Sequence, residues 1–422
     1  ITYSLNEEPF MEHEIFSEFI EVINRSEKFI IIDMFLFTDM GGKDEDYPQI
    51  TKEVTDALIK KMNESEINVW IISDYVNTTY DSHEAYYLKQ LQDNGANVVY
   101  AGLHELRDAN PLYSTFYRMF FRWLPNTKNG WIVNPFGAEE PKVTLTSYLD
   151  LLNIKGNHRK MILTENESIF TSANLHDPSG FNSNTGVRVK GEILKDILAS
   201  ERAVVEYSTG NTANFPSSED INIHKSEEDD LQVAIFTETK IYDEAVRMIK
   251  GTSIGEELWM GMYLLGNDTI VKEIQNASER GVKVKLILDP NQTSFGKEKP
   301  GIPNVAVTHR MNINDFENLE IRWYNIGKEQ YHTKMIYIHG EKSQLFLGST
   351  NLTSRSLLGY NLENNIKIEG DSNTQIMRDV KEYFEKLWNN KGQEYTVHFE
   401  EYQDFLSWGR RFVFRLQKIL RV

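Results

Sequence analysis

One short pattern occurs twice in this chain, and the repetition limits the possible fold more than any other feature. Asn157-His158-Arg159-Lys160-Met161-Ile162-Leu163 is matched by Tyr331-His332-Thr333-Lys334-Met335-Ile336-Tyr337, each a His-x-Lys running into an apolar stretch. Each is followed by a Ser-x-Asn, Ser172-Ala173-Asn174 and Ser349-Thr350-Asn351. Upstream, Ile67-Asn68-Val69-Trp70-Ile71-Ile72-Ser73-Asp74 matches Val282-Lys283-Val284-Lys285-Leu286-Ile287-Leu288-Asp289; both follow a helical pattern and end in aspartate. Elements recurring in one order imply a duplicated domain. At 422 residues the chain also exceeds what a single hydrophobic core ordinarily holds.

The periodicity within each copy sets the class. Apolar spacing predicts helices over Glu12–Ser26, Thr51–Ser65 and Glu84–Asp93, with buried strands at Phe29–Phe37 and Ile67–Ser73. The second copy predicts strands Leu231–Phe236, Leu258–Leu265 and Val282–Leu288 around helices Ile241–Ile249 and Thr269–Arg280. Helices alternating with buried strands indicate an α/β fold with a mainly parallel sheet in each half. Asp74 and Asp289, at matching strand ends, read as a trace of the duplication. The expected division is an N-terminal domain over 1–208, a linker rich in Asn, Ser, Pro and acid over 209–230, and a C-terminal domain over 231–396.

Two segments fall outside the repeat. The first copy carries an insertion over about 103–146, dense in rings (Tyr113, Phe116, Tyr117, Phe120, Phe121, Trp123, Trp131, Phe136) with Arg118, Arg122 and Lys128 among them. It reads either as an excursion packed on its own domain or as an interfacial lid. The tail over 397–422 is basic and amphipathic from Trp408 to Arg421, a pattern suited to a membrane surface. It stands out because the chain's net charge is -18, which argues against a nucleic-acid binder with a broad basic face. Cysteine is absent, which removes disulfides, thiolate nucleophiles and Cys-ligated zinc. The chain starts at Ile1, so an N-terminal anchor or signal segment is expected to be missing from it.

On a strand, alternate side chains share a face, so His158 lies with Lys160 and His332 with Lys334. A returning strand through Ile169-Phe170 or Leu345-Phe346-Leu347 then delivers Asn174 or Asn351 alongside. Imidazole, ammonium and amide, each supplied twice, suit phosphoryl transfer through a histidine: the imidazole attacks, and the cations neutralise charge at phosphorus.

This constellation resembles the phospholipase D superfamily, whose signature is H-x-K-x4-D followed by G-S-x-N. The likeness is strongest at Gly348-Ser349-Thr350-Asn351-Leu352-Thr353-Ser354-Arg355-Ser356, with Asn361 and Glu363 beyond, where it is most similar to bacterial phospholipid-processing members, cardiolipin synthases included. It implies two similar α-β-α halves packed about a pseudo-two-fold, with the active site at their interface. It also implies a covalent phosphohistidine, with no metal and no cofactor. The site residues it implies are His158, Lys160, Asn174, His332, Lys334, Asn351 and Glu363 in catalysis, with Ser172 and Ser349 against the substrate. The family aspartate is replaced by Glu165 and His339, and Thr171 stands where glycine is usual. Glu363 is expected to lie against the histidine of its own copy, His332, raising its pKa and making it the general acid while His158 attacks.

The leading expectation is a phospholipid phosphodiesterase or phosphatidyltransferase acting at a membrane surface. A phosphodiesterase acting on nucleic acid ends and a membrane-binding module with a relic site are the alternatives.

Overall fold

The structure, a computed structural model, describes all residues except 6–7, 42–46, 104–105, 109, 122, 124–129, 136, 138, 154, 224–230, 295–296, 299–300 and 406–422. The basic stretch Trp408–Arg421, and Arg122, Lys128 and Phe136 of the insertion, therefore lie outside the described residues.

Each half is built on one sheet. The N-terminal sheet runs Gly186–Val189, Ser168–Thr171, Lys160–Thr164, Phe29–Met34, Asn68–Ser73, Asn97–Tyr100. The C-terminal sheet repeats that order with Asn364–Asp371, Lys342–Gly348, Lys334–His339, Glu257–Met262, Lys283–Leu288 and Leu319–Tyr324. It adds Gln232–Thr237 at one edge and Thr396–His398 at the other. The predicted helices and strands appear within a few residues of their expected ends.

The sheets are mixed, contrary to the expected mainly parallel arrangement. Within these two sheets, among the described residues, Phe29–Met34 with Asn68–Ser73 with Asn97–Tyr100, and Glu257–Met262 with Lys283–Leu288 with Leu319–Tyr324, pair in parallel, and their other ladders are antiparallel. The physical reason is the hairpin after each His-x-Lys. It enters without a crossover helix, so the motif strand must run against its neighbour.

Alternation along the strands distributes the core. In Phe29–Met34, Ile30, Ile32 and Met34 pack outward on the helices Ile15–Arg25, Ile50–Glu64 and Tyr86–Asp93. Phe29 and Ile31 face inward, into a core shared with Trp259, Tyr331, Met335 and Tyr337 of the other half. The helices Ile193–Thr209 and Gln375–Trp388 contribute to this shared core through Leu194, Ile197, Phe384 and Leu387. The outer face of the C-terminal sheet is covered by the helices Thr239–Lys250, Asp268–Glu279 and Asn304–Met311.

The segment after Gly210 runs across the N-terminal half. Phe215 packs edge-on against Trp70 at 5.0 Å, and the Asn222 amide donates to Glu165 O at 2.8 Å.

Candidate active site at the interface of the halves

The apolar residues after each His-x-Lys form the strands Lys160–Thr164 and Lys334–His339. Each histidine thus sits just before a strand that is buried in its sheet. The residue preceding it is fixed by a buried aspartate: Asp74 Oδ2 accepts from the Asn157 amide at 2.6 Å, and Asp289 Oδ2 from the Tyr331 amide at 2.7 Å. The other oxygen of each closes its own turn, accepting from Val76 N at 2.7 Å and Asn291 N at 2.5 Å. Burial lifts these carboxyls, Asp74 to about 6 and Asp289 to about 7.

The halves also meet through backbone at this point. Gly156–Asn157 pairs in parallel with Asn361–Leu362, and the His158 amide donates to Leu362 O at 2.8 Å. In mirror fashion Ser183 bridges Tyr331, and the His332 amide donates to Ser183 O at 2.8 Å.

Side chains follow the same exchange. His158 Nδ1 lies 2.9 Å from Glu363 Oε2, and His332 Nδ1 lies 3.0 Å from Asn184 Oδ1. The expectation that Glu363 faces His332 is therefore corrected. The reason is geometric: the strand segments Asn361–Leu362 and Ser183 leave their own sheets to pair with the opposite half, carrying Glu363 and Asn184 with them. Ser349 Oγ donates to Glu363 Oε2 at 2.6 Å and Ser172 Oγ to Asn184 Oδ1 at 3.2 Å, so both motif serines brace the residue that holds the opposite histidine. Neither is shown facing outward to a ligand.

These contacts fix the imidazoles. The Asn184 amide donates to the carbonyls of Ser179 and Asn182 at 3.2 and 3.0 Å, which turns its oxygen toward His332. Each Nδ1 then carries the proton, and each Nε2 presents a lone pair. Phe35 and Tyr263 press edge-on against His158 and His332, with centroids at 5.1 and 4.9 Å and the same 62° between planes. Burial pushes His158 down to about 4 against the pull of Glu363, whose carboxyl is held at about 2 chiefly by His158, with help from Lys160 and Ser349. Burial, with the cations Lys334 and Lys160 nearby, drives His332 well below its ordinary value.

Lys160 Nζ donates to His158 O at 2.7 Å and lies 5.2 Å from the Phe35 ring; Lys334 Nζ donates to His332 O at 3.0 Å and lies 5.2 Å from the Tyr263 ring. Burial depresses Lys160 to about 7 and Lys334 well below the lysine range. The Oδ1 atoms of Asn174 and Asn351 are buried with no hydrogen-bond partner among the described residues. The cluster thus gathers two imidazoles, two destabilised ammonium groups and two amides around a single carboxylate, Glu363, which is already engaged by His158 and Ser349.

A family model described as "Cardiolipin synthase, PLD-like domain" matches residues 245–388. Cardiolipin synthase A of Buchnera aphidicola subsp. Schizaphis graminum is 26% identical over 236 residues, 52% of this chain and 46% of that protein. A phosphatidylserine synthase from Haemophilus influenzae aligns in structure over 96% of this chain and 91% of its own, at a TM-score of 0.62 and 12% identity. Residues 245–388 thus match a phospholipase D-like domain, and the chain as a whole shares its fold with that synthase. Nuc from Salmonella typhimurium, a phospholipase D family member, covers 40% of this chain at a TM-score of 0.32, too low to bear on the fold comparison. The matched stretch of the Buchnera protein is under half its length.

Within the superfamily pattern, the departures have local accounts. Glu165 accepts from the Glu27, Lys28 and Phe29 amides at 2.8, 3.3 and 3.4 Å, capping the entry to the first strand. His339 ends its strand beside Tyr337 Oη, 3.1 Å away, with no contact to the histidine pair. The glycine of Gly-Ser-x-Asn has changed sides. A Cβ on Gly348 would meet Asn364 O at 2.3 Å and, across the ladder, Asn365 Oδ1 at 2.6 Å. In the first copy the bulky residue is Thr171, and its cross-strand partner is Gly186. His176 serves packing: its nitrogens meet Ser179 Oγ at 2.8 Å and Met40 O at 2.6 Å.

Sequence reading missed Asn184 as the partner of His332, the anchoring by Asp74 and Asp289, and the rings Phe35 and Tyr263. The signal was present in the repeat: Asp33-Met34-Phe35 aligns with Gly261-Met262-Tyr263, one residue beyond matching strands. It also missed Arg159. This residue bridges Glu201 at 3.0 Å in its own half and Glu238 at 2.7 Å in the other.

Proposed function

We propose that the protein is a phospholipase D-type phosphatidyltransferase or phosphodiesterase acting on phospholipid through a phosphohistidine. The observation that carries this reading is the pair of imidazoles, each with Nδ1 held by the opposite half, set beside the two buried motif lysines. In the first step His158 Nε2 attacks phosphorus, the bond to the leaving alcohol breaks, and His332 gives that oxygen a proton. In the second, His332 takes a proton from an incoming alcohol or water, whose oxygen attacks phosphorus and releases Nε2. Lys160, Lys334, Asn174 and Asn351 bind the non-bridging oxygens.

The assignment of His158 as nucleophile rests on Glu363, on a different ground from the sequence expectation. Phosphorylation at Nε2 makes the ring a cation, and a carboxylate on Nδ1–H neutralises it; Asn184 offers His332 only a dipole. His332 acquires its proton when an anionic phosphate offsets the cations Lys334 and Lys160 that disfavour it.

The insertion supports a membrane surface as the substrate's location. The helix Pro111–Phe120 docks through Tyr117, which is buried, and through Tyr113 Oη, which donates to Leu149 O at 2.6 Å. Its other face puts Leu112, Phe116, Met119 and Phe120 in one exposed stripe, with Trp123 and Trp131 exposed nearby. Arg118 is spent on Asp108 at 2.7 Å, so the apolar stripe, more than charge, makes the interface. Among the described residues no helix is long and apolar enough to cross a membrane.

The test is to give the protein phosphatidylglycerol vesicles and, separately, single-stranded oligonucleotide. Cardiolipin with glycerol, or phosphatidic acid, is the expected product; shortened oligonucleotide alone overturns the reading. Quenching in detergent at neutral to alkaline pH, where the P–N bond survives, should trap phosphatidyl-enzyme that disappears in H158A and accumulates more slowly in H332A. Phosphoenzyme in H158A but not in H332A reverses the roles.

A further inference from the structure

Arg355 lies outside the set of residues just assigned. It follows Asn351 by four positions, in the short helix Ser354–Leu357 capped by Thr353. Its Nε is buried and has no hydrogen-bond partner among the described residues. A guanidinium ordinarily forks onto a carboxylate or phosphate. Asp74 and Glu363 are near enough to act on it electrostatically, but both are already committed, Asp74 to the Asn157 and Val76 amides and Glu363 to His158 and Ser349. Burial accordingly holds the guanidinium below the ordinary arginine range. The group is a partly desolvated cation fixed beside the reacting centre without a counter-ion of its own.

Its other neighbour is Tyr80. Tyr80 belongs to a turn in which Thr79, Tyr80 and Asp81 all take positive φ, 42°, 53° and 65°. Left-handed backbone at three successive non-glycine residues is strained by about 1–3 kcal/mol each. The turn is kept by ties to the insertion and the motif: Ser147 Oγ donates to Tyr80 O at 2.5 Å, Asn134 Nδ2 to Thr79 Oγ1 at 3.3 Å, and Tyr80 Oη to Lys155 O at 3.3 Å. Arg355 is therefore within electrostatic reach of Glu363 and Asp74 at the site and of Tyr80 in this turn.

We infer that Arg355 forms a subsite for a second anionic group, carried by the alcohol that leaves or reaches phosphorus. This rests on the proposed phosphatidyl transfer. The ligand chemistry is a phosphate or carboxylate borne by that alcohol, bound through paired N–H···O contacts, with no bond made or broken at Arg355.

The test uses the whole protein, R355Q and R355K, with phosphatidylglycerol in mixed micelles as donor and four soluble alcohols as acceptors: glycerol, glycerol phosphate, serine and ethanolamine. Wild type should show a lower KM for glycerol phosphate than for glycerol. R355Q should raise the KM ratio of anionic to neutral acceptor about 10–100-fold, the worth of a charge-assisted hydrogen bond, with partial recovery in R355K. Preference for glycerol phosphate over serine marks a phosphate subsite, and equal preference a general anion subsite. A KM ratio unchanged in R355Q, or a wild type indifferent to acceptor charge, overturns the inference. If wild type turns over no phospholipid, the phosphatidyl-transfer reading fails. Calorimetric titration of glycerol phosphate then still reads the subsite, and equal affinity in wild type and R355Q refutes it.

Discussion

Glu363 Oε2 contacts His158 Nδ1 at 2.9 Å although the two residues are 205 positions apart and belong to opposite halves. The reciprocal place, against His332, is taken by Asn184 of the first half. A carboxylate and an amide thus occupy equivalent positions about the pseudo-two-fold, and this single difference separates two otherwise matched histidines.

Replacing Glu363 with glutamine keeps the shape and removes the charge. The amide can also donate to Nδ1 and so favour the wrong tautomer. We expect kcat to fall roughly 10³–10⁴-fold, the scale seen when a histidine's orienting carboxylate becomes an amide. Phosphoenzyme formation measured by rapid quench should slow by the same factor. A loss below tenfold would remove Glu363 from the mechanism.

The depressed lysine sets an alkaline limit. Lys160, held at about 7 by burial, is charged below that pH and neutral above it. Affinity for inorganic phosphate should therefore weaken as pH rises through about 7. K160R, which stays charged, should move that loss to higher pH. The His158 ring should titrate near 4 in the free protein when followed by NMR, and higher once phosphate is bound.

The exchanged glycine predicts a compensating pair. G186N places a side chain against Thr171, 3.4 Å from a Cβ at position 186, and should destabilise the fold. T171G should restore room, reproducing the Gly348–Asn365 pairing of the second copy. Urea unfolding of both single variants and the double should give a coupling energy of about 1–3 kcal/mol. Simple additivity would refute the equivalence.

Arg159 spans the halves from a buried position, so R159M strands Glu201 without its cation. The expected loss is about 3–5 kcal/mol in equilibrium unfolding. E238Q, at the partly exposed partner, should cost less.

On the insertion, F116S with F120S should weaken binding to phosphatidylglycerol vesicles by tenfold or more, since each exposed ring can bury roughly 1.5–3 kcal/mol of apolar surface in the interface. Activity on a water-soluble phosphodiester should change far less. Unaltered vesicle binding would reject the stripe as the contact.

Much of this was legible in the chain. Doubling of His-x-Lys and of the Ile67–Asp74 pattern gave two halves, and strand alternation placed each lysine with its histidine. The pairing of Glu363 was misread because sequence order assigns a residue to its own copy, whereas the contact is made by a strand segment that crosses over. Parallel sheets were overestimated for a related reason: helix–strand alternation is visible in periodicity, but the direction of the inserted hairpin is not. Asn184 has no carboxylate to mark its role, and an asparagine becomes this histidine's partner only through the two carbonyls that orient its amide.

The crossed backbone pairing has a consequence for inheritance. Because the His158 amide bonds Leu362 O and the His332 amide bonds Ser183 O, neither half by itself contains a complete setting for its own histidine. A gene fragment encoding either half would yield only an unfinished site. A substitution that shifts the backbone on one side therefore moves the histidine contributed by the other.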